Sequence, residues 1–184
     1  DELVAPMTDL VGEDWEEIVT FRHPATEAPD ENGQGTIHAD LAVAAHRAVV
    51  DVDPELGLLR VVRVDTAQDV GKALNPESIR GQIEGGIMQG VGLAIMEELV
   101  VEGGKMRNAT FTDYLLPTIL DAPDVEALLI EQDGSWGPFG AKGVGEPPTI
   151  SSTPAVVAAI RNATGRPLSR VPVRPQDIAL ETVL

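Results

Sequence analysis

The stretch "LNPESIRGQIEGGIMQGVGLAIMEEL", residues 74–99, carries two signals that oppose each other. Asn75 is a good helix N-cap, Pro76 suits the first helical position, and Glu77 complements the positive end of the helix dipole. Ile79, Ile83, Ile87 and Ala94 then recur at helical spacing, which predicts an amphipathic helix. Yet Gly81, Gly85, Gly86, Gly90 and Gly92 lie inside it. Each interior glycine costs roughly 0.5–1 kcal/mol relative to alanine. A helix holding five of them must let something approach its backbone. That something is either another packed element or a ligand lying along the helix face.

Working outward, residues 36–65 read as strands. The alternation in Ala48–Asp53 is followed by "PELG" and a second Val-rich run from Leu58 to Asp65, a hairpin signal. "KMRNATFTDYLLP" reads as strand or extended chain and "VEALLIE" as a short strand. Ser152 or Thr153 is expected to cap a second helix with Pro154 in its first turn, stopping at Gly165. The proline-rich tail "RPLSRVPVRPQDIAL" should be extended. Hairpins and helices without regular βα alternation point to an α+β fold with mixed sheets and packed helices.

Composition bounds the rest. At 184 residues the chain is long enough for a substantial core, and with 3% aromatics that core should be aliphatic. The net charge of −17 argues against a nucleic-acid partner, because phosphate binding needs basic surface. Acid concentrates at the start, where residues 1–31 hold ten Asp or Glu against Arg22 alone. That bias predicts a solvated, poorly ordered arm preceding a domain over 32–184. The absence of cysteine excludes thiolate metal sites and iron–sulfur ligation by this chain. The apolar run at 87–96 is about half the length of a membrane span. A cytoplasmic protein without a membrane segment is expected. The first residue is Asp rather than Met, which suggests a piece of a longer chain.

His23, His38 and His46 are not spaced as metal ligands, and no Ser stands in a nucleophile elbow. "GAKGVG" lacks the Lys-Ser/Thr ending of a phosphate loop. The residue that stands out is Glu146, between Gly143-Val144-Gly145 and Pro147-Pro148. The glycines let the backbone come close to a ligand, and Pro147 biases Glu146 toward an extended conformation. A carboxylate held there, in a partly apolar pocket, suits a general base. The same residues also fit a plain loop with an exposed glutamate. Gln82, with an amide donor and acceptor, fits either a ligand contact or ordinary surface.

Three motifs in order, "QDVGKALNPESIRGQIEGGIMQGVGLAIMEEL", "NATFTDYLLPT" and "GAKGVGEPP", resemble the C-terminal part of the molybdenum-binding subunit of the xanthine dehydrogenase/aldehyde oxidase family. The resemblance runs from about His38 to Ile178. It implies a molybdopterin cofactor, with Gln82, Gly143, Val144 and Gly145 near it. It also implies that Glu146 is the base that takes a proton from the metal's oxygen ligand before that oxygen attacks an electron-poor carbon. The implied reaction is hydroxylation of a small molecule, with a purine such as hypoxanthine or xanthine expected first and an aldehyde or another N-heterocycle as the alternative. Because the family subunit is several times longer, the resemblance implies partners. These are the remainder of the molybdenum subunit and chains carrying iron–sulfur clusters and FAD. A non-catalytic structural subunit is the contrasting expectation.

Overall fold

The computed structural model describes residues 16–179. The chain divides into two compact units, Asp1–Ala39 and Asp40–Leu184. The acidic arm expected over 1–31 falls within the first unit, and its residues 1–15 lie outside the described residues. Residues 16–39 form no helix or strand. A turn at Asp30 organises them locally, with the Asp30 carboxylate accepting the backbone N–H groups of Asn32 (2.9 Å) and Gln34 (2.8 Å).

The second unit is an α+β structure. Strands β1 (Ala44–Asp53) and β2 (Leu58–Asp69) form the predicted antiparallel hairpin. The first strand begins later than the sequence suggests, and the second runs on to Asp69. Val49 pairs with Arg63 and Val50 with Val61, so Val62 is an extra residue, a β-bulge. The bulge lets Val61 and Val64 both face inward, where each is buried. Helix α1 (Pro76–Ile95) starts as predicted, Asn75 accepting the Ser78 N–H at 3.0 Å. A small ribbon, β3 (Val101–Glu102) and β4 (Lys105–Met106), replaces the longer extended run expected there. Strand β5 (Asp124–Ile130) then lies parallel to β2, giving the sheet order β1-β2-β5.

Helix α2 (Pro147–Thr164) departs from expectation. It begins five or six residues before the predicted cap, because Pro147 and Pro148 occupy first-turn positions where a missing N–H is no loss. Glu146 is therefore the residue before a helix, with φ −81° and ψ −41°, and not the extended loop residue expected from the following proline. Pro154 lies inside the helix. Gly165, with φ 68°, ends it in the left-handed conformation, as predicted. The proline-rich tail is not wholly extended, since Pro175–Ile178 forms a short helix, α3.

The core is aliphatic. Ile79, Ile83, Ile87 and Val91 of α1 meet Val61 and Val64 of the sheet, Val156 and Ile160 of α2, and Ile178 of α3. Burying each such side chain is worth about 1.5–3 kcal/mol. No helix among the described residues is long and apolar enough to cross a membrane.

The two long helices meet at glycines. A Cβ on Gly86 would come within 2.7 Å of Pro148 Cβ, and one on Gly90 would overlap Ser152 Oγ and reach Thr153 N at 3.2 Å. Thr149 Oγ1 donates to Gly86 O (3.1 Å) and Thr153 Oγ1 to Gly90 O (2.9 Å). The space beside Gly92 is filled by Glu97 and Pro117. Packing thus accounts for three of the five helix glycines. Gly81 and Gly85 face open space, with no described residue within 4 Å of an added Cβ.

Gly90→Ala is expected to destabilise the folded protein by about 1–3 kcal/mol, the usual cost of overpacking. Its thermal midpoint should fall accordingly. An unchanged midpoint would show that the helices do not meet at this glycine.

Candidate active site

The glycine-rich segment before α2 is bound to the sheet by side chains that the sequence did not single out. The Lys142 side chain is only 9% exposed. Its Nζ donates to Asp69 Oδ2 (2.6 Å) and Leu41 O (2.8 Å), with Asp40 Oδ1 at 3.5 Å. The hydrogen bond to Asp69 raises the Lys142 pKa above the usual lysine range. The other Asp69 oxygen accepts the Gly71 N–H at 2.9 Å. Backbone bonds from Lys142 N to Val70 O (3.0 Å) and from Lys72 N to Gly140 O (2.7 Å) complete the tether. Lys142 is no phosphate ligand. It is the post that fixes the loop to the end of β2.

Two residues further on, Val144 is partly buried against the core, and its carbonyl accepts a hydrogen bond from Gln68 Nε2 at 3.1 Å. Gln68 is fully buried on the inward face of β2. The signal was present in the sequence, since Val64, Thr66 and Gln68 share one face of the strand by alternation. Its partner, 76 residues away, was not.

Gly145 lies against α1. A Cβ there would be 3.4 Å from Gln82 Oε1, and Gly145 O lies 3.3 Å from the Cβ position of Gly86. Gln82 and Gly145 therefore meet at one edge of the helix pair, and Glu146 follows Gly145 directly in the chain. Gly143 is exposed and has open space at its Cβ position. Glu146 is exposed, and its side chain makes no capping hydrogen bond to the helix it precedes. Its backbone is firmly held, because Glu146 O accepts from Thr149 N (3.0 Å) and Ile150 N (3.2 Å).

This edge can do two things chemically. The Gln82 amide and the glycine backbone can hydrogen-bond a flat, polar heterocycle. The Glu146 carboxylate, on a fixed backbone, can accept a proton from a group brought within hydrogen-bond reach. The open glycines and the exposed amide fit a pterin-type cofactor.

The molybdopterin cofactor-binding domain family matches residues 3–123. The chain belongs to that family. Among curated relatives, the 6-hydroxypseudooxynicotine dehydrogenase complex subunit gamma of Paenarthrobacter nicotinovorans is 35% identical over 96% of this chain and 24% of the relative. A probable xanthine dehydrogenase subunit of Bacillus subtilis is 32% identical over 88% of this chain and 21% of the relative. In structure, the aldehyde oxidoreductase from Desulfovibrio desulfuricans matches with a TM-score of 0.77 and 34% identity, covering 83% of this chain and 17% of that one. The chain thus spans about a quarter of the length of the curated relatives it matches.

Two outcomes are expected here. Lys142→Met leaves Asp69 without its cation, so stability should fall by on the order of 2 kcal/mol. That lies below the roughly 3–5 kcal/mol of fully buried pairs, because both side chains keep about a tenth of their surface in solvent. Denaturant titration measures it, and no loss would mean the tether is dispensable. The second concerns His46, whose Nδ1 lies 2.7 Å from Ser151 Oγ and whose pKa burial pushes below 6.5. The unfolded chain binds this proton more tightly, so stability should be complete above pH 6.5 and decline as pH falls through the folded-state value. Thermal midpoints between about pH 5 and 7.5 should show that slope, and His46→Phe should flatten it.

Proposed function

We propose that this chain is the base-bearing part of a molybdenum hydroxylase, acting within a larger assembly. Glu146 is the proton acceptor, and Gln82 with the Gly143–Gly145 backbone binds the cofactor. The observation that carries the reading is that Gln82 lies against Gly145, the residue immediately before Glu146, backed by two helix glycines that no described residue fills.

When bound, the molybdenum cofactor supplies the two-electron oxidant and activates water-derived oxygen. The chain's own task is narrower. Glu146 takes the proton on a carboxylate oxygen, and its held backbone anchors the side chain that carries it. The carboxylate must then release its proton before the next cycle. Gln82 offers N–H and C=O to the cofactor's edge, which fixes its orientation relative to Glu146.

For the substrate, we infer an electron-poor carbon of an N-heterocycle, with a purine such as hypoxanthine or xanthine first. Support comes from the Bacillus subtilis relative, whose name is that of a xanthine dehydrogenase subunit. An aldehyde is the second reading, favoured by the structural likeness to an aldehyde oxidoreductase. The partners inferred are the rest of a molybdenum subunit together with iron–sulfur and flavin chains. The exposed Phe111, Ile119, Leu120, Phe139 and Ile150 offer apolar surface for such neighbours.

Glu146→Gln keeps the side chain's shape and removes its basicity. In the assembled enzyme, kcat should fall by about 100- to 10,000-fold, with molybdenum content unchanged. Turnover at the wild-type rate would sink the assignment and favour a non-catalytic subunit.

A further inference from the structure

Three buried polar atoms have no hydrogen-bond partner among the described residues: His46 Nε2, Thr66 Oγ1 and Gln68 Oε1. They are neighbours. His46 and Thr66 are directly paired across the β1–β2 ladder, and Gln68 follows Thr66 on the same face of β2. Gln68 is fully buried and Thr66 is 4% exposed. Each of the outer two residues also uses its other polar atom on the segment that carries Glu146. Gln68 Nε2 donates to Val144 O, two residues before Glu146. His46 Nδ1 pairs with Ser151 Oγ, which in turn reaches Pro147 O at 3.3 Å, one residue after Glu146.

We assign His46 the Nδ1–H tautomer, because Ser151 Oγ has Pro147 O to donate to at 3.3 Å, and the donor and acceptor count at the three atoms follows from that assignment. With the Ser151 hydrogen directed to Pro147 O, His46 carries its proton on Nδ1 and donates it to Ser151 Oγ. Nε2 is then a bare acceptor. Gln68 Oε1 is also an acceptor, because its amide nitrogen is committed to Val144. Thr66 supplies one O–H. Two acceptors and one donor cannot all be satisfied among themselves. One water can satisfy them, donating to Nε2 and Oε1 and accepting from Thr66 Oγ1. About three bonds is the typical number for a buried water, and leaving buried acceptors unmet is costly.

We propose that a single buried water binds His46 Nε2, Thr66 Oγ1 and Gln68 Oε1. It joins the Gln68–Val144 and His46–Ser151 contacts into one clamp that positions Glu146 from both sides. His46, Thr66 and Gln68 are positioning residues, since none of them reaches the exposed edge. The effect on turnover rests on the reading of Glu146 as the base, whereas the water and the rigidity of the segment do not.

The test uses the assembled holoenzyme. A high-resolution crystal structure should show an ordered water at about 2.6–3.2 Å from all three atoms. Gln68→Met removes both the tether and one water ligand at similar size. It should lower kcat by about 10- to 100-fold, move the acid limb of the pH–rate profile, leave molybdenum content unchanged, and speed amide exchange at Gly145 and Glu146. Thr66→Val removes only a water ligand and keeps the Val144 contact, so it should change kcat and exchange in the same direction but less. If Gln68→Met does not assemble, Thr66→Val carries the test alone. Density showing the three atoms paired with other protein groups, or variants with wild-type exchange and pH profile, would overturn the clamp. Should Glu146→Gln prove active, the base reading falls, and density and exchange still decide the clamp.

Discussion

The position of Glu146 depends on the backbone contact between two helices. Gly86 and Gly90 stand one turn apart on α1, and Pro148 and Ser152 stand one turn apart on α2. Thr149 and Thr153, again one turn apart, donate into the carbonyls of the same two glycines. The rows match because residues four apart share a helix face. Removing side chains from α1 brings the start of α2 against it. Glu146, immediately before α2, is delivered to the edge where Gln82 projects. The helix cost of these glycines, about 0.5–1 kcal/mol each, is offset by the packing and hydrogen bonds that close approach permits.

The sheet contributes the second half of the placement. Its hydrophobic face is conventional up to Val64, and then the inward positions turn polar with Thr66 and Gln68. Polar groups in a core are costly unless hydrogen-bonded, so this end of β2 must serve the loop it faces. Asp69 completes the pattern by holding Lys142. Three residues in alternation and sequence, Thr66, Gln68 and Asp69, thus mark where the strand stops packing and starts positioning.

Much of this was legible in the sequence, and the limits are instructive. Asn75-Pro76 and the "PELG" turn are local signals, and local chemistry placed both correctly. The aliphatic core followed from the helical spacing of Ile79, Ile83 and Ile87. The start of α2 was misread because Pro154 looked like a first-turn proline, whereas Pro147 and Pro148 already fill that role. Glu146 was expected to be extended because Pro147 follows it, whereas it adopts a helical backbone before α2. Nothing local tells one proline from the other, since only the packing of Pro148 on Gly86 decides it. Lys142 and Gln68 were missed for a related reason. Their partners, Asp69 and Val144, lie more than seventy residues away, and no single stretch contains both halves of either contact. The family resemblance singled out Gln82 and Glu146 by motif, and in the structure Gln82 lies against Gly145, the residue before Glu146.

The glycine seam also makes the joint between the helices discrete. Sliding α2 along α1 by a fraction of a turn would drive Pro148 and Ser152 off their glycines and onto side chains. The next comparable seat is a full pitch away, about 5.4 Å. The joint therefore behaves as a detent and resists gradual adjustment. The Glu146 backbone cannot be retuned by small displacements of its helix. On the proposed reading of Glu146 as the base, variation in reactivity has to come from what is presented to its side chain, while its backbone stays where the seam puts it.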